Sequence, residues 1–245
     1  MSTIERREPN GISVLVSGAG IGGLMAALEC WRIGCNVRVF ERSKTNVTSG
    51  DSFTIGPSAL DTFKHWPDME KQCYEIAYYP LLSQFNLKGE KIAGPVEMSK
   101  FIHSHKVPNR IARHMRPDFH AVLLEQLKAI GIYLEYGKEV VDYFENAQGG
   151  QAGVVLEDGS KHSTDLVIAA DGVRSPSWGL VAGQPVANRS SGNAIFRVAY
   201  PVEHALTDPM IAEHFQLTDD GRSVMEMWAG PGAYAMFWRN KDFMT

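Results

Sequence analysis

The apolar pattern near the start of the chain changes period within thirty residues. Residues 12–17, Ile-Ser-Val-Leu-Val-Ser, form a short run rich in β-branched side chains and predict a strand. Residues 24–31 have helix-forming composition and predict a helix. Between them stands Gly18-Ala-Gly20-Ile21-Gly22-Gly23, so the glycines fall at a strand-to-helix turn. A second strand over residues 36–40 ends in Glu41. The whole closes in roughly the 30 residues of a parallel strand–helix–strand unit.

Downstream, residues 43–50 are polar turn formers, and residues 51–57 lead into a short helical pattern over 58–65, where Pro57 suits the first helical position. Residues 69–78 have weak helical character. Residues 81–87 alternate as a strand, and Lys88-Gly89-Glu90 turns them into a partner over 91–96, a pair expected to leave the sheet of the first strand–helix–strand unit. The best-defined helix is opened by Pro117, carries leucines at 123, 124 and 127, and is closed by Gly131. Strands are expected over 132–136, 140–144 and 154–156, the last turning at Asp158-Gly159. The apolar run 165–170 suits a buried parallel strand, and its carboxyl end delivers Asp171-Gly172. In an open α/β sheet that edge is where ligands bind.

The glycine turn has the chemistry of a dinucleotide cradle. Gly18 allows a tight turn, Gly20 lets the backbone approach a pyrophosphate, and Gly23 lets the helix pack close to the sheet. The free N–H groups of the helix N-terminus then supply anion binding without a charged side chain. Glu41 lies 41 − 18 = 23 positions after the first glycine, about where a carboxylate accepts a ribose hydroxyl. It would repel a 2′-phosphate, although Arg42 beside it could soften that, so NAD and FAD remain as candidates. Arg116 stands at a helix N-terminus, against the dipole, which points either to an anion shared with the helix end or to an ordinary surface arginine. The glycine-bracketed run 50–56 could border a cofactor or be a plain loop. His103 and His105 lack a third ligand and read as solvated loop residues.

Composition narrows the class. At 245 residues the chain can bury one or two cores, and 44% hydrophobic with 21% charged residues is ordinary for a soluble globular protein. A net charge of −4 without a basic patch gives no reason to expect nucleic acid or an anionic membrane. Cys30, Cys35 and Cys73 lack metal-ligand spacing and read as packed thiols of a reducing compartment. Residues 1–10 carry charges of both signs, unlike a targeting segment, and no stretch approaches a membrane-spanning length. The expectation is a cytosolic, cytoplasmic protein.

Three motifs together resemble the FAD-dependent aromatic monooxygenases of the para-hydroxybenzoate and salicylate hydroxylase type, including fungal secondary-metabolite oxygenases. They are Gly18-Ala-Gly20-Ile-Gly22-Gly23 with Glu41, Arg116 opening its helix, and Asp165-Leu-Val-Ile-Ala-Ala-Asp171-Gly172-Val-Arg174-Ser175. The resemblance implies an α/β fold with a Rossmann-like FAD-binding domain containing a mixed sheet, over residues 1–183, and an incomplete β-sheet substrate domain over 184–245, to which a strand pair in about 80–108 contributes. It implies bound FAD, NAD(P)H as co-substrate and a small aromatic or polyketide-like substrate; it fixes no oligomeric state. Gly18, Gly20, Ile21, Gly22, Gly23, Glu41, Arg42, Gly50, Ser52, Arg116, Asp171 and Gly172 would line the cofactor. Within that set Glu41 would hold the adenosine ribose, Arg116 would reach the flavin chain, and Asp171 would orient the region around it. Where the family commonly has an arginine, position 178 is Trp, which weakens any nicotinamide contact there. Arg197 and an aromatic, Tyr234 or Trp238, would face the substrate as catalytic groups, Arg197 pairing with a phenolate; sheet packing is the plainer role for all three.

The same resemblance implies more sheet beyond Thr245 and a second Gly-Asp motif, which nothing here matches. The expectations are therefore a monooxygenase supplied as a fragment or encoded by a truncated gene, a non-catalytic remnant that binds a ligand or partner, or another oxidoreductase on this fold.

Overall fold

The structure is a computed structural model that describes residues 4–46, 49–98, 111–146, 148–187 and 189–245. His103, His105 and the end of the 80–108 span lie outside the described residues. Contacts divide the chain into two units: Met1–Thr48, Pro67–Met69 and His120–Asn193 form the first, and Ser49–Trp66, Glu70–Phe119 and Ala194–Thr245 the second.

The first unit is built on a four-stranded parallel sheet in the order Leu166–Ala169, Ser13–Ser17, Asn36–Glu41, Tyr133–Tyr136. Ser13–Ser17 is central, and its apolar run is explained by burial on both faces. Leu15, with Phe40, packs against Tyr143, Val154 and Leu156 of an antiparallel three-stranded sheet, Lys161–Thr164, Gln151–Leu156, Val140–Asn146. Val14, Val16 and Val39 alternate to the other side. The helix Ile21–Arg32 packs on the parallel sheet and buries Leu24, Ala27 and Leu28.

Two expectations for this unit need correction. The first helix begins at Ile21 rather than at residue 24, so Gly22 and Gly23 lie in its first turn. The strand Leu166–Ala169 pairs in parallel as expected, but it is not buried, and Leu166 is 48% exposed. It is the outermost strand, with Ser13–Ser17 as its one neighbour among the described residues. Asp165 locks its register, because Oδ2 accepts from the Ser13 N–H at 2.8 Å and from its hydroxyl at 2.6 Å.

The second unit holds a mixed four-stranded sheet, Ala233–Trp238, Val224–Gly230, Leu81–Asn86, Lys91–Glu97, in which Val224–Gly230 runs parallel to Leu81–Asn86 and the other pairs are antiparallel. Its core gathers Leu82, Met115, Met225 and Trp238. A separate antiparallel ladder joins Ser52–Ile55 to Ala112–Met115. That ladder was not expected, since Ala-Arg-His-Met shows no apolar alternation, yet all four residues are buried. The helix Arg116–Ala129 starts on the next residue and is followed by Gly131 at φ 76°.

The three cysteines are unbridged; Cys35 and Cys73 are buried, and burial pushes the Cys73 thiol up to about 12. Among the described residues no helix is long and apolar enough to cross a membrane, and no three His, Cys, Asp or Glu gather as metal ligands.

Candidate functional site

In the first unit each glycine of the turn meets a different steric demand. Gly18 has φ 101°, and a Cβ there would stand 2.5 Å from the Ala170 carbonyl oxygen. A Cβ on Gly23 would overlap the Gly18 carbonyl oxygen and meet the Ala170 Cβ. Gly20 and Gly22 are the opposite case, for a Cβ on either would meet nothing within 4 Å. Two glycines therefore serve packing, and two leave the backbone open to whatever approaches it. Gly20 is the N-cap of the helix and offers no side-chain cap, so the first N–H groups keep their binding capacity.

Glu41 is tied to this turn. Oε2 accepts from the Ala19 N–H and Oε1 from the Ser43 N–H, both at 2.8 Å. Burial alone pushes its carboxyl up, but the two backbone donors, aided by Arg42, outweigh that and hold it below the ordinary carboxylate value. Glu41 is thus ionised at neutral pH, and each oxygen keeps a lone pair for a hydroxyl. Arg42 itself is exposed.

Asp171 follows the edge strand. Its Oδ2 accepts from the Tyr143 hydroxyl at 2.6 Å, whereas its Oδ1 is buried without a partner among the described residues. Burial, then the Asp171 carboxylate, pushes the Tyr143 phenol upward, so it remains a donor. Gly172, at φ 91°, makes the turn beyond it. Tyr143 was invisible as a site residue in the sequence, where it is one aromatic in a strand.

In the second unit, Gly50, Asp51, Ser52, Arg116 and Arg197 come together with Arg113, which the sequence did not flag. Gly50 has φ 145°, and the Arg116 stem packs where its Cβ would be. Arg116 donates from its backbone to Asp51 O at 3.0 Å and from Nη1 to Ser49 O at 3.1 Å. Arg197 donates from Nε to Asp51 Oδ2 at 2.7 Å and from Nη2 to Ser52 O at 2.8 Å. Arg113 is 8% exposed, donates from Nη2 to Ser52 Oγ at 2.6 Å, and lies 4.7 Å over the Trp238 ring. Its Nε has no partner among the described residues, and burial pushes its pKa down to about 10. Segment 49–52 is therefore gripped by three guanidinium groups, and Asp51 pairs with Arg197 and attracts Arg113. Trp238 is core, 1% exposed, with Nε1 donating to Ser223 Oγ at 2.9 Å. Tyr234 is 65% exposed on its hairpin strand.

A profile of the FAD binding domain family matches residues 11–221. The chain belongs to that family. It is 40% identical over 242 residues to the FAD-dependent monooxygenase fsr3 of Gibberella fujikuroi, covering 97% of this chain and 46% of that protein. It is 39% identical to the FAD-dependent monooxygenase dmxR9 of Cryptosporiopsis, covering 98% of this chain and 47% of that protein. The chain thus spans about half the length of the curated relatives it matches. Among solved structures, native FqzB superposes with a TM-score of 0.82 at 27% identity, over 99% of this chain and 54% of that one. CtdE in complex with FAD and substrate 4 shares the fold, with a TM-score of 0.83 at 24% identity, over 95% of this chain and 56% of that one.

The residues of the first unit fit FAD. The open backbone at Gly20 and Gly22 suits a pyrophosphate, ionised Glu41 suits a ribose diol, and the orphaned Asp171 Oδ1 suits a hydroxyl or N–H donor.

Proposed function

We propose that the protein is an FAD-dependent monooxygenase of secondary-metabolite type that hydroxylates a small aromatic or polyketide-like molecule with NAD(P)H and O2. The observation that carries the reading is the Gly18–Gly23 turn with Glu41 bonded to Ala19, in a chain of the FAD binding domain family. Bound there, FAD supplies the redox and oxygen chemistry, and the protein supplies position and electrostatics.

In this reading Gly18, Gly20, Ile21, Gly22 and Gly23 present the helix N-terminus to the pyrophosphate, with Glu41 accepting from the adenosine ribose and Arg42 beside it. Gly172 gives Asp171 its place, and Asp171 accepts from the cofactor through Oδ1. Arg116, with Gly50 and Ser52, serves the flavin side. Arg197 and Tyr234 are the candidates for the substrate: the Asp51 and Ser52 bonds use Nε and Nη2 of Arg197 and leave Nη1 for a phenolate. Residues 1–183 would form the FAD-binding domain, and residues 184–245, with the strand pair in about 80–108, the substrate side.

The names FAD-dependent monooxygenase borne by relatives at 36 to 40% identity support this reading. A second reading, a non-catalytic binding protein, is favoured by the exposure of Ile195 at 71% and Phe196 at 91%. One experiment separates them. The purified protein is titrated with FAD, with NAD as control, and NAD(P)H oxidation is followed with and without aromatic phenols. FAD binding and phenol-stimulated oxidation are expected; binding without any oxidation would leave the second reading standing.

A further inference from the structure

We infer that His120 is a positioning residue for the phosphate-facing turn, aiming the Gly20 N–H by holding the Ala19 carbonyl. The inference rests on the FAD reading for its affinity arm and on geometry alone for the rest.

His120 lies in the helix Arg116–Ala129 and is 5% exposed. Its Nε2 stands 2.6 Å from the carbonyl oxygen of Ala19, 101 residues earlier in the chain. A carbonyl only accepts, so the ring donates, and the bond selects the Nε2–H tautomer. Nδ1 is buried and has no partner among the described residues.

Ala19 is 4% exposed and is anchored on both sides. Its N–H donates to Glu41 Oε2, and its carbonyl accepts from His120. The turn needs such anchors because Gly18 and Gly20 have no side chains with which to hold it. A planar trans peptide points its C=O and N–H in opposite directions. Turning the Ala19 C=O toward His120 therefore turns the Gly20 N–H away from the ring. That N–H has no acceptor among the described residues, and Gly20 faces open space. It is the first donor of the helix end, and His120 fixes where it points before any ligand arrives.

The test compares His120→Gln, whose side-chain amide can replace the Nε2–H donor, with His120→Asn, which cannot reach, and His120→Leu. FAD dissociation constants are read by titration, and amide exchange at residues 18–20 is read on the FAD-free protein. One buried hydrogen bond of this kind corresponds to roughly tenfold in affinity. His120→Asn and His120→Leu are expected to weaken FAD about tenfold and to speed exchange at Ala19 and Gly20, and His120→Gln to stay within about threefold of the wild type. If His120→Leu does not fold, the Gln and Asn pair decides. Equal affinity and equal exchange in Asn and wild type would overturn the inference, as would Gln behaving like Asn. If the wild type itself takes no FAD, the cofactor reading fails, whereas the exchange arm still reports the tether.

Discussion

The two units build their candidate ligand surfaces in opposite ways. The turn Gly18–Gly23 is a backbone surface: its donors are main-chain N–H groups, and side chains act on it only through Glu41 and His120. Segment 49–52 is a side-chain surface, gripped by Arg113, Arg116 and Arg197. A backbone surface is fixed by what residues lack, and a side-chain surface by what distant residues reach. Substitutions should therefore act differently on the two.

The largest effect is expected at the packing glycines. Gly23→Ala places a methyl on the Gly18 carbonyl, and the overpacking should cost about 3 kcal/mol in denaturant unfolding. Gly20→Ala meets open space, so stability should stay within about 0.5 kcal/mol while FAD affinity falls. If Gly20→Ala destabilised as much as Gly23→Ala, the division between packing and approach glycines would be wrong.

Arg113 and Arg197 sharpen the side-chain half of the comparison. Arg113→Ala removes a bond to Ser52 and the cover over Trp238 from a buried site, and should cost about 2 kcal/mol. The Arg197 side chain is 57% exposed, and its pair with Asp51 is screened by water, so Arg197→Ala should cost under about 1 kcal/mol. Equal losses in thermal melts would mean that burial does not set the difference. Tyr143→Phe comes next. It leaves both Asp171 oxygens without a donor among the described residues and should cost about 1 kcal/mol, part of which added FAD should restore if Oδ1 and Oδ2 face the cofactor.

This contrast also accounts for what the sequence revealed. The glycine turn, Glu41 and the two strands around them were legible because their physics is local: a strand period, a φ only glycine tolerates, and an acid at fixed spacing. Even there the helix start was misplaced by three residues, because glycine composition hides the first turn. The burial expected of residues 165–170 failed for a topological reason, since an apolar run does not say whether a strand has one neighbour or two. The pairing of Ser52–Ile55 with Ala112–Met115, and with it the burial of Arg113, had no local signal in the second strand. Ala112–Met115 carries no apolar alternation, and it pairs with Ser52–Ile55 across some 60 positions. His120 was likewise one polar residue in a helix until the fold set it 2.6 Å from Ala19.

The smallest effect probes the tie between the turn and its acid. Glu41 has a folded pKa below its ordinary 4.5, because the Ser43 and Ala19 N–H groups outweigh the upward push of burial. A depressed carboxyl binds its proton more readily in the unfolded chain. Its contribution is therefore fully present above about pH 4.5 and is lost as pH falls through the folded value. Glu41→Gln should remove that part of the acid sensitivity, giving a shallower loss of stability below pH 4.5 than the wild type. Because the group is only about half buried, the change is one of slope rather than a collapse. Unfolding midpoints measured at several pH values in both proteins check it; parallel curves would show that the carboxylate does not need its charge to hold Ala19.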